Sequence, residues 1–195
     1  MLRSLILLTP FGLAACVGPV ADLNAPVATR ALSFAELDAL NTSLIDAITA
    51  AGATDYAGVP TAGDATYNGT MIFTLLDGSE DGVIGSATAD VNFQSGAISG
   101  GGSEFYDLDG NPTDGEISFV GLTIYDVGGI FYLVQGAASG AITFTAGEMA
   151  VDASVAANFS GGSADYLSGV MSGTATPDGG SAVTVQGGFY AQAAP

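Results

Sequence analysis

The sequence predicts an all-β protein, an antiparallel up-and-down β-barrel of approximately eight strands preceded by one amphipathic α-helix. Three observations carry that expectation. From Thr66 onward, apolar and polar side chains alternate with a period of two, the pattern of a sheet that buries one face. Clusters of Gly, Asp, Asn and Ser interrupt the alternation at short intervals, as hairpin turns require. Upstream, a single stretch has helical spacing between a start and a stop signal.

The chain opens with residues 1–15, which hold no acid, one cation at Arg3 and an apolar run from Leu5 through Leu8 to Phe11 and Leu13. This is the layout of a secretion signal, and it is too short for a bilayer span, which needs about 20 apolar residues. It ends in Leu13-Ala14-Ala15-Cys16, which resembles the lipobox of bacterial lipoproteins. The resemblance implies acylation of Cys16, the sole cysteine of the chain, and a membrane partner held through that lipid. Val17 follows it, where inner-membrane retention is associated with aspartate, so the expected address is the outer membrane. One cysteine leaves no disulfide, and the fold must hold by burial and backbone pairing.

Residues 16–30 read as a tether, with prolines at 19 and 26. Residues 31–52 contain the helix. Ser33-Phe34-Ala35-Glu36 is a capping box, Leu37, Leu40, Leu44 and Ile48 share one face, and Gly52 stops the run. Its apolar stripe is expected to cover an edge or an open end of the same domain.

Residues 66–195 form the expected barrel. Candidate strands run from Tyr67 to Leu76, Val83 to Phe93, Ala97 to Tyr106, Glu116 to Ile124, Gly129 to Gln135, Ala141 to Phe144, Met149 to Phe159, Tyr166 to Thr174 and Ala182 to Tyr190. Asn92-Phe93-Gln94-Ser95-Gly96 recurs weakly as Asn158-Phe159-Ser160-Gly161-Gly162, a similarity that turn chemistry alone can produce. The face carrying Val83, Gly85, Ala87, Ala89 and Val91 is small-sided, which leaves room for Phe73, Phe119 or Phe189 to fill the interior. A filled interior moves recognition to the loops and the rim.

Composition narrows function. The chain has 20 acids, 2 bases and no histidine, a formal charge of −18 at pH 7. Such a surface repels phosphate backbones, so nucleic acid is excluded as a partner. With no histidine and Cys16 committed to lipid, Ser-His and Cys-His nucleophile systems cannot form, and no enzyme activity is expected. The carboxylate pairs Glu80/Asp81 and Asp152/Asp165 sit at turns or polar strand positions. Asp107 to Glu116 begins like a calcium loop, but Pro112 stands where the motif places glycine and Ser118 where it places its bidentate glutamate. Those residues read as turn formers, and no metal or cofactor is implied.

Several segments together resemble one family. Tyr67-Asn68-Gly69-Thr70, Ala87 to Phe93 followed by Gly96-Ala97-Ile98-Ser99-Gly100, and Val185-Gln186-Gly187-Gly188-Phe189-Tyr190 are similar to the eight-stranded barrel domain of the transferrin-binding protein B family of surface lipoproteins. The resemblance covers roughly Thr66 to Ala194. It departs where the family continues into Gly-Pro and a further strand, since this chain has Ala191 and Gln192 there. The resemblance implies a binding module for a protein or small ligand, without implying transferrin itself. Relatives include haem binders, but a chain lacking histidine could offer haem no ligand beyond Tyr or Met. The alternatives are a structural envelope lipoprotein without ligand and a transmembrane barrel, the latter opposed by the absence of tryptophan for an aromatic girdle.

Overall fold

A computed structural model describes residues 31–79 and 81–195; the leader, Cys16, the tether and Glu80 lie outside the described residues. The helix signals are all used. Helix α1 spans Phe34–Ala51, and the Ser33 N–H and hydroxyl both donate to Glu36 Oε2, at 2.9 and 2.8 Å. Gly52 ends the helix at a φ of 71°, a left-handed conformation that costs glycine nothing. The buried stripe is Leu37, Asn41 and Leu44, with Leu40 and Ile48 half-buried beside it.

Nine strands follow: β1 Asp64–Leu75, β2 Gly82–Asn92, β3 Ala97–Asp107, β4 Pro112–Thr113, β5 Gly115–Val127, β6 Phe131–Phe144, β7 Gly147–Ser160, β8 Tyr166–Pro177 and β9 Val183–Ala193. Apart from the two-residue β4, which pairs only with β3, each strand pairs antiparallel with the next along the chain. β9 returns to β1 in register from Tyr67↔Ala193 to Leu75↔Val185, so the wall closes as an eight-stranded barrel. Closure removes the long exposed edges that an open meander would carry. The strand starts and ends define two rims. Turns 93–96, 128–130 and 161–165 lie on what we call the lower rim, and turns 76–81, 108–111, 145–146 and 178–182 on the upper rim.

Alternation sorts the wall into an apolar inside and a polar outside. In β7, Met149, Val151, Ala153, Val155, Ala157 and Phe159 are buried, while Glu148, Ala150, Asp152, Ser154, Ala156 and Asn158 are exposed. This polarity is opposite to that of a transmembrane barrel, whose outward band is apolar and whose interior is polar. The core is filled by pairing glycine with bulk. A Cβ on Gly85 would sit 2.5 Å from Phe105, and one on Gly169 would sit 2.5 Å from Phe189. Phe189 in turn meets Phe119 with ring centroids 5.1 Å apart. Phe105 reaches that position through a β-bulge between Ile84 and Ser86, where Glu104 adopts a φ of 54°.

Two expectations are corrected. The segments 129–135 and 141–144 are one strand, β6, because Gly136 lies against the Leu122 backbone, where a Cβ would come within 2.5 Å of Cα. Those glycines permit close approach inside a strand and do not interrupt it; Gly129 belongs to the turn, at a φ of 72°. The helix covers neither an edge nor an end. It lies along the outer wall of β1, β2 and β9, where the outward-facing Thr70 and Ile84 are buried at 0% and 4% exposure. The lower end is closed instead by a strap between α1 and β1, a stretch to which the sequence patterns assign no element. It contains a short 3-10 turn, Tyr56–Gly58, followed by Val59, which is buried in the barrel core.

Candidate functional site

The wall is incomplete at one place. β6 and β7 pair from Phe144↔Gly147 down to Val134↔Ala157 and no further. Below that point β6 continues, among the described residues, with β5 alone, through Leu133↔Tyr125, Tyr132↔Asp126 and Phe131↔Val127. β7 continues with β8 to Ser160↔Tyr166. The two strands therefore part over residues 131–133 and 158–160. The strap enters the gap from the helix side: Ala53 bridges Ser160, the Thr54 N–H donates to the Phe159 carbonyl at 3.0 Å, and the Thr54 hydroxyl donates to the Gly161 carbonyl at 2.7 Å. It satisfies the edge of β7 and leaves that of β6.

A groove of about 540 Å³ remains between the strap and β6, open to solvent. Its walls are Ile48 and Thr49 at the end of α1, Thr54 and Val59 of the strap, Phe131 and Tyr132 of β6, and Asn158 to Ser160 of β7. A second depression of about 200 Å³ adjoins it across Tyr132 and is lined by Phe93, Ile124 and Asp126. Between them Tyr56 stacks on Tyr132, ring centroids 4.7 Å apart and planes 7° from parallel, and donates its hydroxyl to Asp126 at 2.9 Å. Its contact with the Tyr132 hydroxyl, then the bond to Asp126, hold the Tyr56 hydroxyl well above the usual tyrosine range. The strap is thus pinned to β7 through Thr54 and to β5 and β6 through Tyr56.

The lip of the groove is apolar and exposed. Phe131, which lines the groove, is 48% exposed, and its neighbour Ile130 at the tip of the β5–β6 hairpin 74%; Val170, 65% exposed, lies two residues along β8 from Ser168 of the groove wall. Apolar side chains are exposed elsewhere too, at Leu76, Leu108 and Val120, and it is their place beside a groove that makes Ile130 and Phe131 a candidate interaction surface. The two similar turn segments converge beneath this lip. Phe93 and Phe159 face each other at 5.8 Å, and Tyr67, 6.0 Å from Phe159, donates its hydroxyl to the Ala164 carbonyl at 2.6 Å.

The other candidates have structural roles. Asp107 accepts from the backbone N–H groups of Asp109 and Asn111 at 3.0 and 2.8 Å, and from the Asn111 side chain at 2.9 Å. These bonds, led by the Asn111 side chain, lower the Asp107 pKa and spend its oxygens on the turn. Asp81 ties two upper-rim turns together, accepting from the Thr145 hydroxyl at 3.1 Å and the Ala146 N–H at 3.3 Å. Asp152 pairs with Thr174 in the middle of the wall, whereas Asp165 lies in a lower-rim turn beside Gly161, so those carboxylates do not meet. Among the described residues no group of His, Cys, Asp or Glu is arranged to hold a metal ion. Cys16 lies outside the described residues. The groove was missed from sequence because its residues read as ordinary strand, turn and linker; the one visible signal was the apolar run Ile130 to Val134 beside Gly128 and Gly129.

No protein-family model matches the chain, and no curated protein matches it. Among solved structures it is similar to transferrin binding protein B of Haemophilus parasuis Hp5. A single mutant of that protein aligns with 21% identity and a TM-score of 0.47, over 73% of this chain and 29% of that one. A double mutant aligns with 20% identity and a TM-score of 0.43, over 72% and 28%. The chain thus spans less than a third of that protein's length.

Proposed function

We propose that the protein is a lipoprotein anchored to the outer membrane through Cys16, whose β-barrel serves as a binding module and engages a protein or small ligand at the lower rim. The observation that carries this reading is the parting of β6 from β7, which leaves an apolar-lipped groove on a barrel whose interior is full. A spacer needs no such opening, and the helix and strap that frame it are held by specific hydrogen bonds. The geometry also suits an anchor. Phe34, the first residue of α1, lies beside Tyr106 at the upper rim, so the described chain enters the domain at the rim opposite the groove.

A photo-crosslinking side chain placed at Ile130 in intact cells, with a second at Asp178 on the upper rim as comparison, tests the binding end. Discrete adducts at 130 and none at 178 are expected; silence at both positions would favour a structural lipoprotein without ligand. The anchor is tested separately by Cys16→Ala, which should release the protein from the membrane fraction. Intact mass should show a chain that begins at Cys16 and carries acyl groups, and an unmodified mass that begins elsewhere would remove the lipid from the account.

A further inference from the structure

We infer that the groove receives an extended, basic segment of a partner protein, which adds as a short strand to the open edge of β6. The inference rests on the binding reading above and specifies its partner. The edge is residues 131–133, paired on one side with β5 and, past Val134↔Ala157, not with β7. It offers about 10 Å of strand, enough for a few main-chain bonds. An unpaired edge beside an apolar groove is the arrangement by which extended peptides add to sheets, with main-chain bonds for affinity and pockets for alternate side chains. Ile130, Phe131 and Val170 supply the apolar contacts.

Charge selects the partner. From Ala31 to Pro195 the chain contains no lysine, arginine or histidine. Near the groove stand Asp126, which lines the adjoining depression, Asp55 next to Thr54 in the strap, and Asp165 in the β7–β8 turn beside Gly161. A second copy of this chain would bring the same uncompensated acids, and an anionic bilayer would be repelled by them. A segment in which lysine or arginine alternates with apolar residues matches both features, since alternation places apolar side chains toward the groove and cations toward the acidic border.

The test is hydrogen exchange of the full-length protein in detergent with a short synthetic peptide that alternates lysine with valine and phenylalanine, beside a counterpart with glutamate for lysine. The lysine peptide should slow exchange at 131–133 and 158–160 and leave the upper rim unchanged. Phe131→Ser should weaken its binding by about tenfold or more, whereas Val120→Ser, an equally exposed apolar site on the barrel wall, should not. Should Phe131→Ser fail to fold, Val170→Ser takes its place. Slowing spread over the whole surface, equal loss in Val120→Ser, or equal binding of the glutamate peptide would overturn the inference. So would protection by neutral phosphatidylcholine vesicles in place of peptide, or by self-association at high protein concentration. Adducts at position 130 in cells together with a silent peptide would sink this inference and leave the binding reading intact; silence in both would sink both.

Discussion

The helix that forms one wall of the groove is attached to the barrel by a buried polar pair, and breaking that pair has a calculable cost. The Thr70 hydroxyl donates to Asn41 Oδ1 at 2.8 Å; Thr70 is wholly buried and Asn41 is 8% exposed. Asn41→Leu strands the Thr70 hydroxyl without an acceptor, and Thr70→Val strands the Asn41 oxygen without its donor. Each single change should cost about 1–3 kcal/mol, the penalty for leaving one buried partner unsatisfied. The double variant replaces both with apolar groups and should lie near the parent, so the coupling is the sum of the two single costs, about 2–6 kcal/mol, and of opposite sign to them. Urea unfolding followed by far-ultraviolet circular dichroism, with the slope held constant, gives the four free energies. Additive costs would refute the reasoning, since they would mean that the two side chains do not depend on one another. The singles should also speed exchange at Ile48 and Thr49, which line the groove, before the wall itself is affected.

Other consequences follow from the same geometry. Phe189→Ala, at a site of 0% exposure against Phe119, should cost about 3–5 kcal/mol in chemical denaturation, and the cost of adding Gly169→Ala should be smaller, though not zero, in a Phe189→Leu background, because its new methyl would meet the Phe189 ring at 2.5 Å and the Ala157 Cβ at 2.7 Å. Burial, with the nearby charge of Asp165 second, raises the Tyr67 pKa. A raised pKa makes its contribution complete below the unfolded tyrosine value of about 10 and lost as pH climbs through the folded value, so Tyr67→Phe should flatten the alkaline limb of a stability titration. The lowered pKa of Asp107 has the reverse sign: its contribution is present above the unfolded carboxylate value and fades as pH falls through the folded one. Asp107→Ala should therefore flatten the acid limb and speed exchange across the turn 108–111, with β3 and β5 unchanged.

The sequence by itself determined the fold class, because period-two burial and turn chemistry are local. The faces of Val83 to Val91 and Met149 to Phe159 follow from alternation alone, and Ser33, Glu36 and Gly52 mark the helix by backbone bonds that reach no further than one turn. Glycines were the first point of failure. Gly136 and Gly140 look like turn formers in the chain, yet their role comes from the Leu122 and Glu116 backbones packed against them from the neighbouring strand. The site of the helix was equally invisible, since an apolar stripe says what is buried and not against what; a buried Asn41 among leucines makes sense only beside Thr70. The groove belongs wholly to tertiary structure. It exists because β6 leaves β7 after Val134 while residues 53 and 54 take the vacated edge, and a pairing that ends between positions 23 residues apart leaves no periodic trace in either strand.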